Sequence, residues 1–121
     1  MIRCGADGIR CGIGNGSICI TRVVAGSGVP QLSALLDTVP VCEHYDVPLC
    51  SDGGNKNSGT CYFMKGNMCK ALAVGANSIM VGRLIAGSEE SPGIPFNKDG
   101  RFVKMYRGMA GCNKSIKNSG S

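Results

Sequence analysis

The chain has 121 residues, 13 Lys and Arg against 8 Asp and Glu for a net charge of +5, and 19 glycines; that length allows one domain or a part of a larger one. The glycines follow no Gly-X-Y period and form no Ser/Gly tract, so collagen-like and linker readings fall away, and no apolar run approaches the ~20 residues of a membrane span. The start, Met1-Ile2-Arg3-Cys4-Gly5, has no signal-peptide apolar core, and the expected compartment is the cytoplasm.

Gly5-Ala6-Asp7-Gly8-Ile9-Arg10-Cys11-Gly12 is a tight turn, a short apolar run and a terminal Gly, which predicts a buried strand. A glycine-rich turn follows at residues 14–16. Pro30 suits the N-terminus of a helix running through Leu32, Leu35 and Leu36 toward Tyr45. Pro40 inside it removes a hydrogen bond and crowds the previous turn, so a kink or break is expected there. Val47-Pro48-Leu49-Cys50-Ser51-Asp52-Gly53-Gly54 repeats the strand form. Residues 60–69 read poorly as a helix start, and the next helix should include residues 70–74 and stop at Gly75. Gly75-Ala76-Asn77-Ser78-Ile79-Met80-Val81-Gly82 is the strand form again. Leu84-Ile85-Ala86 opens a short apolar segment, residues 88–93 form a loop, and residues 96–106 read as a hairpin turning at Asn97-Lys98-Asp99-Gly100. Short buried strands separated by helix-length segments predict βα units on a parallel sheet, so the expected fold class is α/β.

The eight cysteines contain no Cys-x-x-Cys pair, and His44 is the only histidine. A zinc site is therefore not expected, and reduced thiols are. From Lys98 onward six basic residues (Lys98, Arg101, Lys104, Arg107, Lys114, Lys117) face one acid, Asp99. A basic tail can mean nucleic acid, but a solvated basic surface is the expectation here.

The chemistry concentrates at three places. In Gly14-Asn15-Gly16-Ser17-Ile18-Cys19-Ile20-Thr21 a thiol follows a glycine-rich turn, where backbone N–H groups can polarise it into a nucleophile. A buried structural thiol is the bland alternative. Gly12-Ile13-Gly14-Asn15-Gly16 also resembles a dinucleotide-binding turn, but that fingerprint needs Gly at Ser17 and a helix directly after it. Asp52-Gly53-Gly54 and Gly82-Arg83 lie at the other two strand ends. A carboxylate beside glycines that let N–H groups approach an anion suits a sugar phosphate, with Asp52 accepting from ribose hydroxyls; Asp52 as a simple turn former is the alternative.

The loop 14–21, with Gly8-Ile9-Arg10-Cys11-Gly12 before it and Thr21-Arg22-Val23-Val24-Ala25-Gly26-Ser27-Gly28-Val29-Pro30-Gln31-Leu32 after it, resembles the catalytic cysteine loop of IMP dehydrogenase. GMP reductase, a sister enzyme, carries a similar loop. Ser51-Asp52-Gly53-Gly54 is similar to the family's ribose-binding strand end and Ile79-Met80-Val81-Gly82 to its second phosphate-binding strand. Leu84-Ile85-Ala86-Gly87-Ser88-Glu89-Glu90-Ser91-Pro92-Gly93 resembles the bacterial dehydrogenase, and Tyr106-Arg107-Gly108-Met109 the segment that contacts phosphate and base.

The resemblance implies NAD-dependent oxidation of IMP to XMP through a covalent thioimidate on Cys19, with Thr21 near the reaction centre. It implies substrate binding by Ser17, Asp52, Gly53, Gly54, Gly82, Arg83, Tyr106, Gly108, Met109 and Ala110. Arg10, Gly12 and Thr21 would face the cofactor NAD, and carbonyls of Gly14, Gly16 and Cys19 would bind K⁺. The family enzyme is a homotetramer, without membrane or nucleic acid as partner. The implied fold is the last three βα units of a (β/α)8 TIM barrel, which needs eight strands and typically ~250 residues: residues 1–111 a partial barrel, 112–121 a polar mobile tail. Arg83 stands where the family has Ser, and its bulk is expected to crowd the phosphate; Ala110 replaces a usual Gly, and the stretch from Gly59 to Lys70 is longer than the family pattern. GMP reductase, with NADPH, and a non-catalytic βα fragment are the alternatives.

Overall fold

A computed structural model describes residues 1–54, 64–108 and 114–117, with 64–67 and 114–117 described by backbone alone. After a 3₁₀ turn (Ile2–Cys4) come β1 (Ile9–Cys11), α1 (Thr21–Val24), α2 (Gln31–His44), β2 (Leu49–Asp52), α3 (Met64–Val74) and β3 (Ser78–Met80). Three further strands follow: β4 (Phe96–Lys98), β5 (Arg101–Tyr106) and β6 (Lys114–Lys117).

The three strand-like repeats form one parallel sheet in the order β1-β2-β3. Ile9 pairs with Leu49 and Cys11 with Ser51; Cys50 pairs with Ser78 and Asp52 with Met80. This register brings Cys11, Ser51 and Ile79 level, so the three strands end on the same side of the sheet. The predicted α/β class with a parallel sheet holds.

One face of α2 closes the core. Leu35, Val39 and Cys42 lie four and three residues apart, one stripe of a helix, and all are buried against Leu49, Cys11, Ala71 and Ala76. The stripe also overrides Pro40. The expected break does not occur, and α2 runs from Gln31 to His44 with Pro40 inside it. Pro40 is exposed, and the carbonyl it leaves free belongs to Leu36, 55% exposed, where water can serve it.

α3 begins at Met64, which corrects the reading of residues 60–69 as a poor helix start for its latter part. It stops at Gly75 as expected: Gly75 N–H donates to Leu72 and Ala76 N–H to Ala71, both at 3.0 Å, the two bonds of a glycine-closed helix end. Glycine is required there, because φ is +119° and a Cβ would come within 2.6 Å of Val39 Cγ1.

The hairpin is β4 and β5, with Lys98 paired to Arg101. Asn97 and Lys98 belong to the strand, and the turn centres on Asp99 and Gly100, at φ 54° and 77°. Two positive angles make the turn whose twist suits a two-residue hairpin, and Asn97 Oδ1 accepts the Gly100 N–H at 3.0 Å. Within 112–121, which the sequence suggests is a mobile tail, Lys114–Lys117 pairs antiparallel with β5 as β6.

The parallel sheet keeps both edges unpaired among the described residues. Ile13, Val23, Val24 and Val29 are exposed, Val23 at 86%. The six described cysteines are free thiols, and no described helix is long and apolar enough to cross a membrane.

Candidate active site

The loop between β1 and α1 is stitched to both neighbouring strand ends. Asn15, only 5% exposed, accepts the Gly54 N–H on its main-chain oxygen at 3.0 Å. Its side-chain amide donates to Gln31 Oε1 and accepts from Arg22. Gln31 Nε2 in turn donates to the Cys11 carbonyl at 2.8 Å and to Ser51 Oγ at 3.0 Å. Arg22 also donates to the Val29 carbonyl. One polar network thus ties the loop to β1, β2 and the start of α2. None of Asn15, Arg22 and Gln31 was singled out from the sequence; the available signal was two amides placed beside a glycine pair and directly after Pro30.

On that base Cys19 is held outward. Its N–H donates to the Gly16 carbonyl at 3.0 Å, a tight turn, and the residue is exposed. Cys19 Sγ lies 3.1 Å from Thr21 Oγ1. Hydrogen bonds from the Thr21 hydroxyl and then the Thr21 N–H, with Arg22 adding a smaller attraction, hold the thiol below its usual range. An accessible thiol with raised thiolate character is what nucleophilic chemistry needs.

Seven of the expected substrate contacts line one cleft of about 260 Å³. Ser17 comes from the loop, Asp52, Gly53 and Gly54 from the end of β2, Gly82 and Arg83 from beyond β3, and Tyr106 from β5. Its walls are close-set: a Cβ on Gly82 would sit 2.6 Å from Tyr106 Oη, and one on Gly53 3.0 Å from Gly16 N. Arg83 is half-buried in this wall, and its Nε is sealed from solvent with no hydrogen-bond partner among the described residues. Cys19 is not part of the cleft lining; Gly16, Ser17 and Ile18, just before it, are.

Arg10 turns toward Asp52, with Nε 3.4 Å from Oδ2. Arg10 and Gly12 also line a second hollow of about 370 Å³, with Ile13 and Val29 among its walls. Arg10 is the one cation among these lining residues. Thr21 faces Cys19 instead. Gly108 follows β5 and is half-buried, while Met109 and Ala110 lie outside the described residues.

Main-chain carbonyls are hard donors of the type a monovalent cation takes. The Gly16 carbonyl accepts the Cys19 N–H, and an oxygen with two lone pairs can serve a second neighbour. Among the described residues no group of three or more His, Cys, Asp and Glu could hold a metal.

The family model for the IMP dehydrogenase / GMP reductase domain matches residues 1–121. A GMP reductase of Leishmania donovani is 50% identical over 96% of this chain and 22% of its own length. An inosine-5'-monophosphate dehydrogenase of Helicobacter pylori is 48% identical over 98% of the chain and 23% of its own length. The corresponding enzyme of Nitrosopumilus maritimus is 47% identical over 96% and 23%. The chain therefore spans less than a quarter of the length of these curated relatives.

Proposed function

The chain belongs to the IMP dehydrogenase/GMP reductase family, and on that premise we propose that it carries the nucleophile and nucleotide cradle for NAD⁺-dependent oxidation of IMP to XMP. The observation that carries this reading is an exposed thiol, drawn toward thiolate by Thr21, beside a cleft where the ends of β2 and β3, the loop after β1 and Tyr106 converge. In such folds phosphate sites form at the C-terminal ends of the strands.

Ser17, Gly54, Gly82 and Tyr106 hold the 5′-phosphate, and Asp52, steadied by Arg10, accepts from the ribose hydroxyls. Gly108, Met109 and Ala110 face the base. Cys19 attacks C2 of the hypoxanthine, forming a C–S bond. NAD⁺, when bound, supplies the acceptor for the hydride that leaves C2; Arg10, Gly12 and Thr21 are this chain's residues toward it. Water then cleaves the resulting thioimidate, releasing XMP and the thiol. Splitting one oxidation into two steps is the advantage of covalent catalysis. The carbonyls of Gly14, Gly16 and Cys19 would hold K⁺, which would supply a fixed charge to brace the loop.

The chain acts as the last three βα units of a (β/α)8 barrel in a homotetramer. Two unpaired sheet edges and the exposed Ile13, Val23, Val24 and Val29 support completion by further strands. The relative named GMP reductase, at 50% identity, favours a second reading, NADPH-dependent removal of the C2 amino group of GMP through the same thiol.

The test grafts residues 1–121 in place of the matching segment of the Helicobacter pylori enzyme. NADH formation from IMP, abolished by Cys19→Ser, is the expected result. An IMP analogue with a leaving group at C2 should label Cys19 ahead of Cys11 and Cys50 in peptide maps. Labelling of Cys19 no faster than those two refutes the nucleophile. Consumption of NADPH with GMP, without IMP oxidation, selects the second reading, and neither activity leaves a non-catalytic fragment.

A further inference from the structure

Lys104 is only 4% exposed, and its ammonium is enclosed by main-chain oxygens. Nζ donates to Ser88 at 2.7 Å, Ser91 at 2.8 Å and Glu89 at 3.1 Å, and lies 3.4 Å from Ser91 Oγ. An ammonium has three donors, and here the loop after β3 takes them all. Burying a charge against neutral oxygens is a poor route to stability, since an apolar side chain of similar volume often does as well or better. The arrangement needs another reason.

Hydrogen bonds run from Lys104 to the cleft. Ser91 Oγ donates to the Ala86 carbonyl at 2.7 Å, and the Ala86 N–H donates to the Gly82 carbonyl at 3.0 Å. On β5, Lys104 and Tyr106 are two residues apart and share one face of the strand. Tyr106 Oη rests so close to Gly82 that a Cβ there would be 2.6 Å away. The hairpin is thus fastened to residues 82–91 at both ends, by Tyr106 at Gly82 and by Lys104 at the far end of the loop. The Glu90 carboxyl is held low by hydrogen bonds of its own N–H and Ser88, with a smaller attraction from Lys104, in keeping with a loop wrapped around the cation.

We propose that Lys104 is a positioning residue that fixes Tyr106 over Gly82 and so sets the width of the phosphate end of the cleft. This rests on the nucleotide reading above. The experiment uses the grafted enzyme labelled with 3-fluorotyrosine, the Tyr106 ¹⁹F resonance being assigned with Tyr106→Phe. Lys104→Met should displace or broaden that resonance, raise the KM for IMP tenfold or more and leave kcat within threefold. Lys104→Arg, which keeps donors for the carbonyls, should restore most of the KM. A Tyr106 resonance unchanged in Lys104→Met overturns the proposal. So does a displaced resonance with an unchanged KM, since the cleft would then be indifferent to Tyr106. Where the grafted parent turns over neither IMP nor GMP, the functional reading fails while the resonance still decides whether Lys104 positions Tyr106.

Discussion

Gly12 is the residue whose replacement tests most directly how the strand ends are held together. At φ +132° a Cβ there would lie 2.1 Å from the main-chain oxygen of Asp52 and 2.8 Å from Gln31 Oε1. Neither neighbour can yield cheaply. The first is backbone at the end of β2, and the second belongs to an amide tied to Cys11 and Ser51. Gly5 is the control: its φ is +86°, but a Cβ would meet nothing within 4 Å. Gly5→Ala therefore costs backbone strain alone, ~1–2 kcal/mol. Gly12→Ala costs at least ~1–3 kcal/mol of strain plus ~1–3 kcal/mol for forcing a group into packed space. At roughly 2–4 °C per kcal/mol for 150–250 residues, and less in a larger enzyme, the fall in Tm of the grafted enzyme should be at least twice as large for Gly12→Ala. Parting β1 from β2 also takes Arg10 off Asp52, so the KM for IMP should rise with it. Equal Tm losses for the two variants refute the close approach and the role given to it.

Thr21→Val keeps the shape of residue 21 and removes the hydroxyl that lies 3.1 Å from Cys19 Sγ. Because that bond lowers the thiol, the pH profile of Cys19 alkylation by iodoacetamide should move to higher pH and the rate at neutral pH should fall; an unmoved profile removes Thr21 from the activation of the thiol. Arg83→Ser takes away a half-buried side chain whose Nε has no partner among the described residues, and opens the phosphate end of the cleft. It should lower the KM for IMP in steady-state assays, whereas a rise of tenfold or more makes Arg83 a phosphate ligand.

The parallel strands were legible because each carries its own punctuation, a turn before a short apolar run and a Gly after it, and such signals are local. The convergence of the strand ends was legible for the same reason. Parallel strands bring their C-terminal ends together whatever lies between, so Asp52, Gly53, Gly54 and Gly82 could be expected near Ser17 before any contact was known. Pro40 failed as a breaker because its cost is local, while the burial of Leu35, Val39 and Cys42 that outweighs it is tertiary. β6 escaped because Lys-Ser-Ile-Lys has neither an apolar run nor alternation long enough to mark a strand, and its order comes from β5. The polar stitches were hidden for a different reason. Asn15, Gln31 and Lys104 are residue types found on any surface, and their bonds join positions 13 to 20 residues apart. These side chains nonetheless decide what the legible ones can do. Glycines at strand ends permit a close approach to phosphate, but they hold no shape of their own. The shape comes from Gln31, which fixes the loop that presents Cys19, and from Lys104, which fixes the loop that faces Tyr106. A relative that keeps the glycines and the cysteine but loses these two anchors should therefore turn over slowly for want of Gln31 and bind its nucleotide poorly for want of Lys104.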